Sequence, residues 1–86
     1  MEIEIIPLAS KKMFQRGISI EMVKETVEKP DQIVDGYMNR KVKQKIYYLS
    51  GKKKLLRVIG EDEGNKFVVI TAYLTSKIEG YWRNEL

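Results

Sequence analysis

Lys54 to Trp82, KLLRVIGEDEGNKFVVITAYLTSKIEGYW, is the densest apolar sequence in the chain and decides the fold. It reads as two strands, Leu55 to Gly60 and Phe67 to Leu74. A charged hairpin loop, Glu61 to Lys66, joins them, and its Gly64-Asn65 can supply positive φ angles. Both strands are apolar on both faces, so one face is expected to meet helices and the other to be partly covered by Thr75 to Trp82. Arg57 sets a positive charge inside the first of these strands.

Upstream, Lys41 to Leu49 is a third strand. Period-two alternation puts Val42, Ile46 and Tyr48 on one face and Lys43, Lys45 and Tyr47 on the other. Ser50-Gly51 turns the chain into the next strand, completing an antiparallel meander. Before Pro30 the pattern changes to helical spacing. Leu8, Ala9 and Met13 mark a first helix ending at Gly17, where a left-handed cap fits. Ser19 caps a second helix, with Ile20, Val23 and Val27 along one face. Lys29-Pro30 ends it, because the residue before proline avoids the helical region. Gln32 to Tyr37 is a short extended segment broken by Asp35-Gly36, and Glu2 to Ile6 alternates as a short strand with one buried face. The expected fold class is α+β: two N-terminal helices packed on a small antiparallel β-sheet of three or four strands, a two-layer arrangement. Trp82 is expected to close the core.

The length of 86 residues suits one domain over 1–86. There is no cysteine and no histidine, so disulfides, thiolate metal sites and histidine-based nucleophilic catalysis are excluded. No metal or other cofactor is expected. Sixteen Lys+Arg against 12 Asp+Glu give a net charge of +4. The stretch Arg40 to Arg57 contains eight Lys or Arg and no acid, so a basic patch is expected and polyanions are favoured as partners. No apolar run is long enough to span a bilayer, and MEIEIIPL lacks the cationic start of a signal peptide. No membrane association and a cytoplasmic location are therefore expected.

The chain resembles the domain-of-unknown-function family 4258 in two blocks. The first is Leu8-Ala9-Ser10-Lys11-Lys12-Met13-Phe14-Gln15-Arg16-Gly17-Ile18-Ser19, in which Ala9, Met13, Arg16, Gly17 and Ile18 match the family. Leu8 stands where the family has histidine, and Lys12 where it has arginine. The second block is Leu56-Arg57-Val58 followed by Val69-Ile70-Thr71-Ala72-Tyr73. That family looks like the RelE/ParE toxin superfamily in layout, with helices first and a small antiparallel sheet after them. The resemblance implies a toxin-type, metal-independent endoribonuclease or an RNA-binding protein, with RNA or the ribosome as partner. The alternative, suited to so small a chain with apolar strands and a moderate charge, is a non-catalytic module that binds an antitoxin-like protein or a second copy of itself. Chemistry resting on the family histidine does not carry over, because that position is Leu8.

Arg57 needs an anion, either a structural partner such as Glu21, Glu25 or Asp31 or the phosphate of a bound ligand. The candidate catalytic set is Arg57, Tyr73 and Lys45: Arg57 to neutralise the phosphate, Lys45 together with Lys43 to position the strand, and Tyr73 or a lysine of lowered pKa to move protons. The candidate RNA contacts are Arg16, Arg40, Lys43, Lys52 and Lys54. Most also have a structural reading: the lysines as guards of an edge strand, Arg16 as a helix cap, and Tyr73 and Tyr81 as packed rings with bonded hydroxyls.

Overall fold

The computed structural model describes residues 1–84. Its elements run β1 (Glu2–Ile5), α1 (Pro7–Gln15), α2 (Ile20–Glu28), β2 (Gln32–Asp35), β3 (Lys41–Leu49), β4 (Lys52–Asp62) and β5 (Lys66–Thr75). The α+β class holds, with both helices in the first third of the chain, after β1. The sheet, however, has five strands in the order β1-β5-β4-β3-β2, and it is mixed. β3, β4 and β5 form the expected antiparallel meander, and β2 adds antiparallel to β3. β1 lies parallel to β5, Ile3 opposite Phe67 and Ile5 opposite Val69. The wholly antiparallel expectation fails there because α1 and α2 cross over one face of the sheet between β1 and the meander, so the meander's last strand arrives beside β1 running the same way.

Local chemistry explains the helix ends. Pro7 stops β1 and also opens α1, where its missing N–H costs nothing. Gly17 has φ +69°, a conformation that disfavours any residue with a Cβ. Ser19 Oγ accepts from the Met22 amide at 3.1 Å, capping α2. The helices, with Ile18 in the segment that joins them, bury Ala9, Met13, Ile18, Val23 and Val27 against Leu56, Val58, Phe67, Val69 and Ala72 of β4 and β5. Trp82 is not part of that core. It is half-buried on the other side of the sheet, lining a hollow with Ile46, Lys53 and Ile78.

One irregularity fixes which side chains reach the core. Ile59 pairs with Thr71 but Gly60 pairs with Val69, so Ile70 is an extra residue in β5. The bulge shifts the alternation by one: Phe67 and Val69 before it, and Ala72 and Leu74 after it, all face the helices. Thr71 and Tyr73 consequently face away from them, as Arg57 does on β4 by simple alternation between the core residues Leu56 and Val58.

The β2–β3 turn has no glycine where one is usual. Met38 and Asn39 both take positive φ, 57° and 63°, and the Arg40 amide donates to the Tyr37 carbonyl at 3.1 Å. This is the geometry of a two-residue hairpin turn that normally carries Asn-Gly. Among the described residues, no helix is long and apolar enough to cross a membrane.

Candidate functional site

On the sheet face opposite the helices, one register position in each of four strands carries a polar side chain. Gln32 of β2 pairs with Gln44 of β3, Gln44 with Arg57 of β4, and Arg57 with Tyr73 of β5. Neighbouring strands lie about 4.8 Å apart, so these side chains reach one another and form a continuous hydrogen-bonded row. Gln44 Nε2 donates to Gln32 Oε1 at 2.9 Å, while Gln44 Oε1 accepts from Arg57 Nε at 3.0 Å. Arg57 Nη1 donates to the Tyr73 hydroxyl at 2.5 Å. Gln44 is fully buried, so its bonds to Gln32 and Arg57 satisfy a group that water cannot reach.

The row also fastens the segment that follows β5. Gln44 Nε2 donates to the Tyr81 carbonyl at 3.2 Å. Gln32 Nε2 donates to the Arg83 carbonyl, and the Arg83 amide returns a bond to Gln32 Oε1 at 3.0 Å. The strap so held lies over the outer face, as expected for Thr75 to Trp82. It brings the Tyr81 ring onto the Arg57 guanidinium, 4.1 Å from ring centroid to Cζ, and edge-on to Tyr73 at 6.3 Å. Stacking on an aromatic face and an in-plane acceptor at each end hold the guanidinium in one orientation.

None of the expected acids pairs with Arg57. The ion pairs among the described residues are Lys41–Asp35, Lys45–Asp31, Lys66–Glu4 and Lys66–Glu63. Neutral groups satisfy two of the five guanidinium N–H groups. The charge thus stays uncompensated by any carboxylate among the described residues, and it faces a groove of about 520 Å³. Asp35, Gly36, Tyr37, Arg40, Val42, Ile59, Tyr73 and Tyr81 complete the lining. Arg40 adds a second cation. Asp35 is the acid of the groove, and Lys41, 2.6 Å from it, holds its carboxyl below the ordinary carboxylate value. That makes it a weak proton acceptor, and its one negative charge lines the groove beside the two arginines.

Of the proposed site residues, the structure brings Arg57, Tyr73 and Arg40 together and sends the rest elsewhere. Lys43 and Lys45 share a face, as their spacing predicts, but it is the face under α2. Lys43 is only 6% exposed; its Nζ donates to the Val27 carbonyl at 3.0 Å and lies 4.6 Å from the Phe67 ring centroid. Lys45 Nζ donates to the Lys29 carbonyl at 2.9 Å. The last turn of α2 contains no basic residue, so these two strand lysines supply the cations that a helix C-terminus attracts. Neither reaches the Arg57 groove. Lys52 and Lys54 alternate onto the same side of β4 as Leu56 and Val58. Arg16 Nη1 donates to the Ala72 carbonyl at 2.9 Å, tying the end of α1 to β5.

Tyr47, on the covered face with the two lysines, donates to Glu25 Oε1 at 2.5 Å and to the Met22 carbonyl at 3.3 Å. Burial and the Glu25 carboxylate push its phenol up from 10.0 to about 12. The native state therefore holds this proton more tightly than the unfolded chain. The associated stability is complete below about pH 10 and is lost as pH rises through about 12. Lys41 and Lys66, also raised, act in the same direction. Urea titrations from pH 9 upward should show wild-type stability falling across this window and Tyr47→Phe falling less steeply. Parallel curves would show that the phenol does not contribute to the alkaline loss.

Sequence reasoning missed Gln32, Gln44 and Tyr37. A lone glutamine between Val42 and Ile46 on a strand's apolar face was the available signal, because a polar group there must find a buried partner.

Among known proteins, the family model described as "Domain of unknown function (DUF4258)" matches residues 9–74. No curated protein and no solved structure matches the chain.

Proposed function

We propose, for a chain that belongs to the DUF4258 family, that it is an RNA-binding protein whose outer-face groove takes single-stranded RNA. The observation that carries this reading is Arg57: oriented by Gln44, Tyr73 and Tyr81, without a carboxylate partner among the described residues, and open to a groove shared with Arg40. A pre-oriented guanidinium suits a phosphate oxygen. Cations flanked by tyrosine rings suit a strand of alternating phosphates and bases. The helices ahead of an antiparallel meander support kinship with the RelE/ParE toxins, and cytoplasmic RNA or the ribosome would then be the target.

The Arg57–Tyr73 contact favours a second reading, metal-independent strand cleavage. A ribose 2′-hydroxyl attacks the adjacent phosphorus and loses its proton to water. The P–O5′ bond breaks, leaving a 2′,3′-cyclic phosphate. Tyr73 gives its proton to the departing 5′-oxygen and regains one from water, while Arg57 balances the charge on the phosphorane. With no strong base in the groove, the rate rests on charge neutralisation and on how the strand is oriented.

Binding is tested by fluorescence anisotropy of a labelled single-stranded RNA across a salt series. Arg40 makes no side-chain hydrogen bond among the described residues, so Arg40→Ala should fold as the wild type does. It is expected to weaken binding several-fold and to reduce the magnitude of the log–log salt slope by about 1. Arg57→Ala is expected to cost more than tenfold. Folded wild-type protein that ignores RNA at low salt would sink the proposal. Mapping of new 5′ ends after induced expression, with Tyr73→Phe as comparison, decides whether binding leads to cleavage.

A further inference from the structure

At the tip of the β2–β3 hairpin two side chains take no part in the core. Tyr37 is 91% exposed and Met38 81% exposed, so two large apolar side chains stand side by side in solvent. The backbone beneath them is strained: Met38 and Asn39 occupy the left-handed region in succession, where a flexible, unbranched Met with a Cβ is disfavoured and Asn-Gly would be relaxed. Strain combined with exposed apolar surface, with no packing in return, marks a segment whose side chains are used outside the molecule. Tyr37 also lines the same groove as Arg40 and Arg57. The Gly36 amide, donating to the Arg40 carbonyl at 2.8 Å, fixes the turn at the mouth of that groove.

Resting on the RNA-binding reading above, we infer that Tyr37 is a base-stacking residue that makes the groove selective for unpaired over base-paired RNA. An unpaired base can leave its neighbours and lay its face on the exposed phenol ring while the adjoining phosphates meet Arg40 and Arg57. A base inside a duplex is already stacked on both sides and hydrogen-bonded at its edge, so it cannot reach the ring without being extruded. Phosphates alone cannot give this selectivity, because both forms of RNA carry them.

The test uses the whole chain and three labelled probes: an oligouridylate, the same strand paired with oligoadenylate, and an abasic strand of equal length. The wild type should bind the oligouridylate more tightly than the duplex or the abasic strand. Tyr37→Ala should lose about tenfold on the oligouridylate and nothing on the abasic strand, whereas Tyr37→Phe, which keeps the ring face, should bind as the wild type does. Circular dichroism checks that each variant folds. If Tyr37→Ala binds the oligouridylate normally while Arg40→Ala does not, stacking is wrong and the RNA groove stands. If Tyr37→Phe fails as alanine does, the hydroxyl rather than the ring is what binds, and the inference falls. If the wild type binds none of the probes, both readings fall together.

Discussion

Gly60→Ala is expected to destabilise the protein by about 3 kcal/mol, at the upper end of what overpacking a core costs. A Cβ at this position would lie 2.3 Å from the Val68 carbonyl oxygen and 2.6 and 2.8 Å from two carbons of the Phe67 ring. The ring is fully buried, and the oxygen belongs to the backbone of β5 in the paired stretch just before the bulge, so neither can withdraw cheaply. A methyl group here must push β4 and β5 apart at the point where the register changes. The loss is a large share of what holds together a domain of this size. It should appear in urea denaturation as a lower midpoint with little change in slope. A variant within 0.5 kcal/mol of the wild type would mean that the bulge yields easily. Because the bulge turns Tyr73, the register partner of Arg57, outward while keeping Phe67 inward, damage at Gly60 should also reach the groove.

Gln44→Leu should be comparably severe, about 3 kcal/mol, although leucine is close to glutamine in volume. The substitution removes the acceptor for Arg57 Nε and the donor to both Gln32 and the Tyr81 carbonyl. Each buried polar group left unpaired costs about 1–3 kcal/mol, and a charged donor sits at the high end. These costs do not add, since the side chains belong to one network, and release of the strap recovers some of them by letting water in. Hydrogen exchange separates the two effects. The Arg83 amide, which donates to Gln32, should lose protection more than amides at the β1–β5 junction. Equal loss everywhere would indicate global destabilisation only. Gln44→Glu is the companion variant: a carboxylate in that place still accepts from Arg57 but cannot donate to the strap.

Side-chain patterning made much of the fold legible. Ala9 with Met13, and Val23 with Val27, have the spacing of buried helix faces, and Gly17 and Ser19 carry the chemistry of a helix end and a helix start. What pattern could not say was which neighbour a strand takes. Ile3 and Ile5 show that β1 has a buried face, but a parallel partner sixty-odd residues away leaves no local trace. The bulge was hidden too, because Phe67, Val69, Ala72 and Leu74 are all apolar and the switch from odd to even positions reads as a strand buried on both sides. Met38-Asn39 concealed the β2–β3 turn by taking angles that usually announce themselves with glycine.

The site was half legible for a related reason. Alternation correctly grouped Lys43 with Lys45 and set Arg57 apart as a charge among apolar neighbours. It could not tell which face of β3 would be roofed by α2, and lysines are so seldom buried that solvent was the natural assignment. The carbonyls at the end of α2 reversed that expectation. Gln44 and Gln32 became partners only through strand register, which depends on the Ser50-Gly51 turn and on a β2–β3 hairpin that the sequence did not announce.

The parallel seating of β1 against β5 also sets a schedule for the chain as it leaves the ribosome. Glu2–Ile5 has no strand to join until Lys66–Val69 has been made, a wait of several seconds at about 5–20 residues per second. During that interval Ile3, Ile5 and the apolar sides of α1 lack most of their eventual cover, while the β3–β4 hairpin, joined through Ser50-Gly51, can close on microsecond times. Docking of the first strand is then a late, long-range step, and its loop-closure cost is met only once the last strand is in place. A nascent chain stalled before Lys66 would hold an unpartnered strand and an open sheet edge, the state in which pairing with other chains is easiest.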